Sequence, residues 1–429
     1  MLNRSIYALL IGLIAACGQP EPEVEAQEEA PAPQTAIRIE ATAHTASEGA
    51  VESIEGSIGE RLVRTGEGEH WLALDVEVPA AGRYKVELFA SAKSDSAEAW
   101  VEDYYDNPDD RTYNITGTIH LDPASADDGS QSVFTKVGSP LNEGLHRMKL
   151  HIKGSADIEA LQFTLIRPHV PTPMHMTQAM DGDKWTLVWS DEFDGSGTPD
   201  TSKWTFDVGD WGWGNHELQY YTEARPKNAR LEDGHLIIEA HKDDMGAEWT
   251  SARLTTRGKV AFTYGRIEFR AKVPAEKGNW AAGWTLGDNY IDEMSWPYCG
   301  EIDILESVGY EMDNETGDGK AHASVHCGAY YFKLGNQPTA TIEVENMNNE
   351  WHTYSVDWSP ERITASVDGI EYFSYDDTSS ELSWPFDKPQ NIILNLAMGG
   401  GWGGLYGMDE TVTTQSMHVD YVRVYEKRK

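Results

Sequence analysis

From Ile37 onward the chain alternates apolar and polar residues in short runs. Examples are Ile37-Arg-Ile-Glu, Trp71-Leu-Ala-Leu-Asp-Val-Glu-Val, Tyr84-Lys-Val-Glu-Leu-Phe-Ala, His146-Arg-Met-Lys-Leu-His-Ile and Ala160-Leu-Gln-Phe-Thr-Leu-Ile. A period of two places successive side chains on opposite faces of a strand, so each run reads as a half-buried β-strand. Runs of this kind separated by turn residues over residues 37–167 predict a β-sandwich. Residues 168–183, with Pro168, Pro171 and Pro173, read as a linker. The pattern resumes over 184–429, from Trp185-Thr-Leu-Val-Trp through Tyr264-Gly-Arg-Ile-Glu-Phe-Arg and Asn391-Ile-Ile-Leu-Asn-Leu-Ala to Met417-His-Val-Asp-Tyr-Val. So long a succession of strands with few helical stretches predicts an all-β jelly-roll sandwich whose curved inner sheet forms an open, concave cleft.

One run breaks its own period. In Cys299-Gly-Glu-Ile-Asp-Ile-Leu-Glu306, alternation puts Glu301 and Asp303 on one face but would put Leu305, not Glu306, there next. A β-bulge at Ile304-Leu305 absorbs one residue and returns Glu306 to the face of the other two acids. The two glutamate Cα atoms then lie about 13 Å apart. Side chains reaching inward over a concave sheet bring the carboxyls near the ~5–5.5 Å of a retaining glycosidase, short of the ~6.5–9.5 Å of an inverting one. Three acids on one face repel one another, a cost that favours a functional site over an ordinary solvated strand.

Charge and composition narrow the ligand. With 34 basic and 71 acidic residues the formal charge is −37, which argues against nucleic acid, anionic lipid and sulfated polyanions and leaves a neutral polymer as the easier partner. Fifteen Trp and nineteen Tyr suit stacking on sugar rings, although most serve cores. Trp280 and Trp284, four apart, share a strand face and offer stacking surfaces to consecutive sugars. Asn215, Glu217 and Arg257 lie in loop or strand-end contexts suited to hydroxyl recognition. His326, on the strand Ala323-Ser-Val-His, reads either as a satisfied structural residue or as a hydrogen-bond partner within the acid cluster. The glycine-rich stretch Asn395-Leu-Ala-Met-Gly-Gly-Gly-Trp-Gly-Gly404 lacks a lysine and a following helix, which excludes a phosphate loop and leaves a rim carrying Trp402. Trp100, Tyr104 and Tyr105, in a polar, loop-like stretch of the first sandwich, read equally as a sugar platform or as loop anchors.

The N-terminus reads as targeting sequence. Arg4 and the apolar run Ile6 to Ala16 form a signal peptide over 1–16, too short for a stable membrane span. Residues 17–36, rich in Pro, Glu and Ala, predict an extended acidic tether. Ile14-Ala-Ala-Cys17-Gly18 resembles a bacterial lipobox, which implies a lipid on Cys17, and Gly18 resembles outer-membrane sorting in Gram-negative bacteria. The expected location is an outer-membrane-anchored lipoprotein, facing the cell surface or the periplasm, with lipid its only membrane contact. Cys299 and Cys327 remain. An oxidising compartment permits a disulfide, but Cys299 shares the parity of Glu301 while Cys327 follows His326, so the two are expected to point apart.

Glu301-Ile-Asp-Ile-Leu-Glu306 resembles the bulged six-residue signature of glycoside hydrolase family 16. The resemblance implies Glu301 as nucleophile, Asp303 as its support and Glu306 as general acid/base. It runs through Ser190-Asp-Glu-Phe, Trp213-Gly-Asn-His-Glu-Leu-Gln-Tyr-Tyr-Thr222, Thr255-Thr-Arg-Gly-Lys-Val, Gly278-Asn-Trp-Ala-Ala-Gly-Trp-Thr-Leu-Gly287 and Trp296-Pro-Tyr-Cys-Gly, and is closest to laminarinase-like endo-β-1,3-glucanases. Trp296 joins the substrate-binding set on that ground, and for His326 the resemblance implies the role within the acid cluster. The chain departs from the family at Ala281 and Gly283, where Pro and a bulky residue are usual, which implies a looser cleft wall. The family also implies a structural Ca²⁺ on the convex face held by Glu192, Gly234 and Asp420, and no cofactor for catalysis. The opening Ile-Glu-Ala, Pro79-Ala-Ala-Gly-Arg-Tyr-Lys-Val-Glu-Leu and Asp157-Ile-Glu-Ala-Leu-Gln-Phe resemble a family 6 carbohydrate-binding module, with Thr42 where another acid is common. The implied function is endo-hydrolysis of laminarin-type β-glucan by a monomer. A mixed-linkage β-1,3-1,4-glucanase, an algal galactan hydrolase and a non-catalytic glucan-binding lipoprotein are the alternatives.

Overall fold

The computed structural model describes residues 36–93, 97–104, 112–123 and 131–429. The signal peptide, Cys17, nearly all of the tether and Tyr105 lie outside the described residues. Two β-sandwiches follow one another. In the first, a sheet ordered 132–141, 82–92, 156–168, 61–65, 51–55, with 37–40 beside 156–168, faces a sheet ordered 46–48, 69–78, 144–153, 97–104, 112–114, with 119–121 beside 97–104. The period-two runs explain the packing. Leu72, Leu74, Val76 and Val78 from one sheet meet Val86, Leu88, Ile158 and Phe163 from the other, while Asp75 and Glu77 face outward.

The second sandwich is larger. Its outer sheet centres on the long strand Thr414–Arg428, flanked by His235–Asp244 and Gly265–Lys272. Its inner sheet runs Met174–Thr177, Val260–Thr263, Gln390–Met398, Asn279–Gly287, Glu301–Val308, Gly319–His326, Thr339–Val344. Between them lies one core that includes Trp204, Trp249, Phe262, Phe269, Tyr354 and Trp358. The hairpin read at Asp368-Gly369 joins Ile363–Val367 to Ile370–Tyr375, with both turn residues at positive φ as an Asp-Gly turn requires.

Residues 168–183 are more ordered than their proline content suggested. Met174–Thr177 pairs in parallel with Val260–Thr263 and so becomes the edge strand of the inner sheet. Thr172 and Gln178 are buried, and the Thr172 hydroxyl accepts the Gly258 N–H at 3.0 Å. Proline punctuates the segment without freeing it, because the intervening Met-His-Met-Thr run is a competent edge strand.

Ala281 and Gly283 do not line the cleft. On Asn279–Gly287 they alternate with Trp280, Ala282 and Trp284, and a Cβ on Gly283 would lie 2.2 Å from Cζ of Phe269. The space left by the missing side chain is filled from below by that ring, so the departure from the family pattern is a core exchange. Gly283→Val should lower stability by roughly 1–3 kcal/mol through overpacking. A chemical-denaturation midpoint checks this, and an unchanged midpoint would mean the ring moves aside freely.

Candidate active site

Glu301–Val308 lies between Asn279–Gly287 and Gly319–His326. Its register slips on both sides at one place. Gly283 pairs with Leu305 and Trp284 with Asp303, while across the strand Asp303 pairs with Ser324 and Glu306 with His322. The extra residue sits at Ile304-Leu305, as the broken alternation predicts. Ile302, Ile304 and Leu305 all enter the core, and Glu301, Asp303 and Glu306 all take the opposite face. The hydrophobic demand of two consecutive core residues therefore fixes the bulge, and the bulge fixes the spacing of the acids.

Each carboxyl has its own partners. The Trp296 indole N–H donates to Glu301 Oε2 at 2.9 Å, and the Trp280 N–H donates to Glu306 Oε1 at 3.0 Å. His326 Nε2 lies 3.4 Å from Asp303 Oδ2 and 3.8 Å from Glu301 Oε1. Ser324 Oγ lies 3.0 Å from Asp303 Oδ2 and 3.3 Å from Glu306 Oε2. With one hydroxyl proton, Ser324 can donate to only one carboxylate. Donating to Asp303 and accepting from a protonated Glu306 satisfies both contacts.

The electrostatics point the same way. Burial, then the charge of Asp303, pushes Glu306 well above the usual carboxylate range. Glu301 is pushed up to about 8 by burial and by Asp303, against the opposing pull of His326, the Trp296 N–H and Arg253. His326 itself is pushed up to about 9, its burial outweighed by Asp303, Glu301 and Glu306. These carboxylates favour the protonated imidazole, set beside Glu301 and Asp303. Both glutamates are raised, Glu306 further than Glu301, so Glu306 holds its proton the more tightly and Glu301, 3.8 Å from His326, gives its proton up first.

The aromatic walls stand where the alternation put them. Trp280 and Trp284 share the acid face, and Trp402 meets Trp280 and His322 edge-on at 5.3 and 5.0 Å. Asn215 and Glu217 sit on a tight turn whose Asn215 carbonyl accepts the Gly401 N–H at 2.8 Å, so the turn and the glycine-rich rim are one unit. Asn215 Nδ2 donates to Glu217 Oε1 at 3.1 Å, and burial pushes Glu217 up to about 7.

Arg257 is placed differently from its expected role. Its Nη1 donates to the Tyr290 carbonyl at 2.6 Å, which commits it to holding the 287–290 loop. Arg253 instead lies over the rings of Trp213 and Trp284, 4.8 Å from each. Both arginines share a parity, and sequence had no means of choosing between them. Asn395, also unforeseen, accepts the Trp284 N–H at 2.7 Å. A lone amide within Ile-Ile-Leu-Asn-Leu-Ala was its available signal.

Trp100 and Tyr104 lie on the strand Ala97–Tyr104 of the first sandwich, not in a loop. Trp100 stacks on His151 at 5.0 Å with planes 3° apart, and Lys149 Nζ sits 4.0 Å from the Tyr104 ring. Cys299 and Cys327 are buried, unpaired thiols. Glu192 directly follows Lys184–Asp191 and Gly234 directly precedes His235–Asp244, two strands that pair with Thr414–Arg428, which carries Asp420; the Glu192 carboxylate accepts from Arg423 at 3.0 and 2.7 Å, and Asp420 pairs with Arg270 at 2.9 Å. With these carboxylates paired to arginines, a Ca²⁺ here would draw on backbone carbonyls and on the remaining Asp420 oxygen.

A buried pair of carboxyls, one poised to give a proton and one to carry charge, set in an aromatic wall on a jelly roll, defines a glycoside hydrolase. Comparison with known proteins agrees. The family model for glycosyl hydrolases family 16 matches residues 216–423. A β-glucanase of Rhodothermus marinus is 47% identical over 249 residues, covering 56% of this chain and 85% of the relative. The X-ray structure of the laminarinase from Rhodothermus marinus superposes with a TM-score of 0.54 at 46% identity, covering 57% of this chain and 99% of that one. SCLam, described as a non-specific endo-β-1,3(4)-glucanase, superposes with a TM-score of 0.53 at 39% identity, covering 61% and 97%. The chain belongs to glycosyl hydrolases family 16.

His326 lowers the cost of charge on Glu301, so its removal has a signed consequence. His326→Ala should move the ascending limb of kcat/KM against pH upward by about one unit or more, since an opposite charge at this range depresses a carboxyl by that much. A limb that stays in place would mean the imidazole does not bear on Glu301.

Proposed function

We propose that the chain is an endo-β-1,3-glucanase that cleaves laminarin-type glucans with retention, and the bulge that puts Glu301 and Glu306 on one strand face inside an aromatic wall carries this reading. Glu301 attacks the anomeric carbon while Glu306 gives its proton to the departing glycosidic oxygen. The sugar is then held as an ester of Glu301. Glu306, now ionised, takes a proton from water, and the resulting attack releases the sugar with its original anomeric configuration. Asp303 orients Glu301 and, with His326, sets its charge. The names of the relatives support β-1,3-glucan as substrate. The wider specificity described for SCLam supports a second reading, acceptance of mixed-linkage glucan. The net charge of −37 speaks against sulfated galactans.

Two further parts of the proposal concern the remaining chain. The first sandwich is a carbohydrate-binding module for the same glucan, with Trp100 and Tyr104 as its aromatic surface. Cys17 carries a lipid that holds the enzyme at the outer membrane, and Cys17→Ser should move the protein from the membrane fraction to the soluble one; persistence in the membrane would exclude the anchor.

Glu301→Gln and Glu306→Gln should each lower turnover on laminarin by several orders of magnitude with little change in melting temperature. Proton NMR of the first product should show the β-anomer. Near-normal activity in either variant, or an α-anomer formed first, would overturn the assignment. Product analysis on laminarin, barley glucan, agarose and carrageenan separates the glucanase reading from its alternatives.

A further inference from the structure

The two sandwiches meet at residues 206–223 of the second, and the meeting is built from specific ionic contacts. Arg83, at the start of the strand Gly82–Ala92, is 8% exposed. Its Nη1 donates to the Val208 carbonyl at 2.5 Å, and its Nη2 lies 3.5 Å from Asp207 Oδ1. Arg167 Nη1 donates to the Phe206 carbonyl at 2.5 Å while its Nη2 pairs with Glu223. Lys136 Nζ pairs with Asp210 at 2.8 Å. The backbones also approach closely: a Cβ on Gly209, where φ is +132°, would lie 2.7 Å from the Val137 carbonyl oxygen. A module meant to swing on a tether would not need a buried guanidinium aimed at a carbonyl and a carboxylate of its neighbour.

The contact leads on into the cleft. Asp207 accepts Arg253 Nε on its other oxygen at 3.1 Å. Arg253 in turn covers Trp213 and Trp284, and Trp284 sits opposite Asp303 in the strand register. Arg83 also lies over Trp211 and Trp213, at 4.7 and 5.3 Å from the ring centres. A guanidinium from each sandwich therefore lies against Trp213, and Asp207 bridges the same two guanidinium groups. Asp207 is kept below the usual carboxylate range by Arg253 and Arg83, in spite of its burial. A second contact runs parallel to the first: Lys333 Nζ lies 4.9 Å from the ring of Tyr113 in the first sandwich and 5.8 Å from the ring of Trp296, the donor to Glu301.

We propose that the first sandwich is a fixed wall of the glucan cleft, and that Arg83 is a positioning residue for substrate binding, acting through Asp207 on Arg253 and the Trp213–Trp284 aromatic surface. The proposal rests on the reading of the cleft as a glucan site. Arg83 touches no reacting atom. It shares Asp207 with Arg253, so that Arg253 stays over the two indoles instead of turning to satisfy the carboxylate alone, and it also packs on Trp213. The sugar rings stacked on these indoles then bind to a surface set by both sandwiches.

The test uses the full chain. Arg83→Met keeps the length and apolar stem of the side chain and removes the charge. It should raise KM for laminarin oligosaccharides about tenfold, the scale of coupling between directly connected residues. kcat should stay within about twofold and both limbs of the pH profile in place, because Glu301, Glu306 and His326 are untouched. Arg83→Lys, which restores a cation beside Asp207, should recover part of the loss. If the route runs through Arg253, Arg83→Met in an Arg253→Met background should add little further change. An unchanged KM, or an effect of full size in that background, would overturn the proposal. Should Arg83→Met not fold, Arg83→Gln is read against the same criteria. Failure of the wild-type chain to hydrolyse laminarin would instead count against the proposed function itself.

Discussion

Three carboxyls and one imidazole share a face of the inner sheet where water is scarce, and the rest of the catalytic sandwich is arranged so that this costly arrangement persists. Isolated charges at such depth are strongly penalised unless they are paired or protonated. The cluster uses both remedies. Burial drives Glu306 toward its protonated form, the neighbouring carboxylates favour a proton on His326, and the indole N–H groups of Trp280 and Trp296 donate to the two glutamates. The same tryptophans that serve as candidate stacking surfaces therefore also settle where charge resides. Substrate recognition and proton placement are coupled through two side chains, and a change to either tryptophan alters both.

The bulge is the backbone feature that makes the cluster possible. Had Glu306 followed Asp303 with strict alternation, one of the acids would face Phe269 and the core. The energy that holds the bulge comes from Ile304 and Leu305, both fully buried. Apolar packing on one face thus sets carboxyl spacing on the other, to a precision that flexible side chains on a loop would not supply.

The acid strand was legible because its alternation fails in a way only one extra residue repairs, and the tryptophan pair was legible because a strand has a period of two. Other readings failed for equally physical reasons. Trp100 and Tyr104 stand among so many polar residues that they resembled a loop, yet the strand Ala97–Tyr104 alternates cleanly once its outward acids are counted as one face. Arg253 and Arg257 have the same parity, and only the position of the 287–290 loop decides which is drawn away. The Arg83–Asp207 contact joins residues 124 positions apart, and no local pattern encodes it. The proline-rich stretch shows the limit of composition as evidence, since four residues of strand propensity within it were enough to extend a sheet.

The proposed chemistry depends on where the proton is. A carbon-13 NMR titration of the glutamate side-chain carboxyls, with Glu306 assigned by comparison with Glu306→Gln, measures this without reference to turnover. Glu306 should ionise well above the usual carboxylate range, and its ionisation should move down when Asp303→Asn removes the neighbouring charge. Ionisation of Glu306 near the value of an ordinary exposed glutamate would contradict that chemistry.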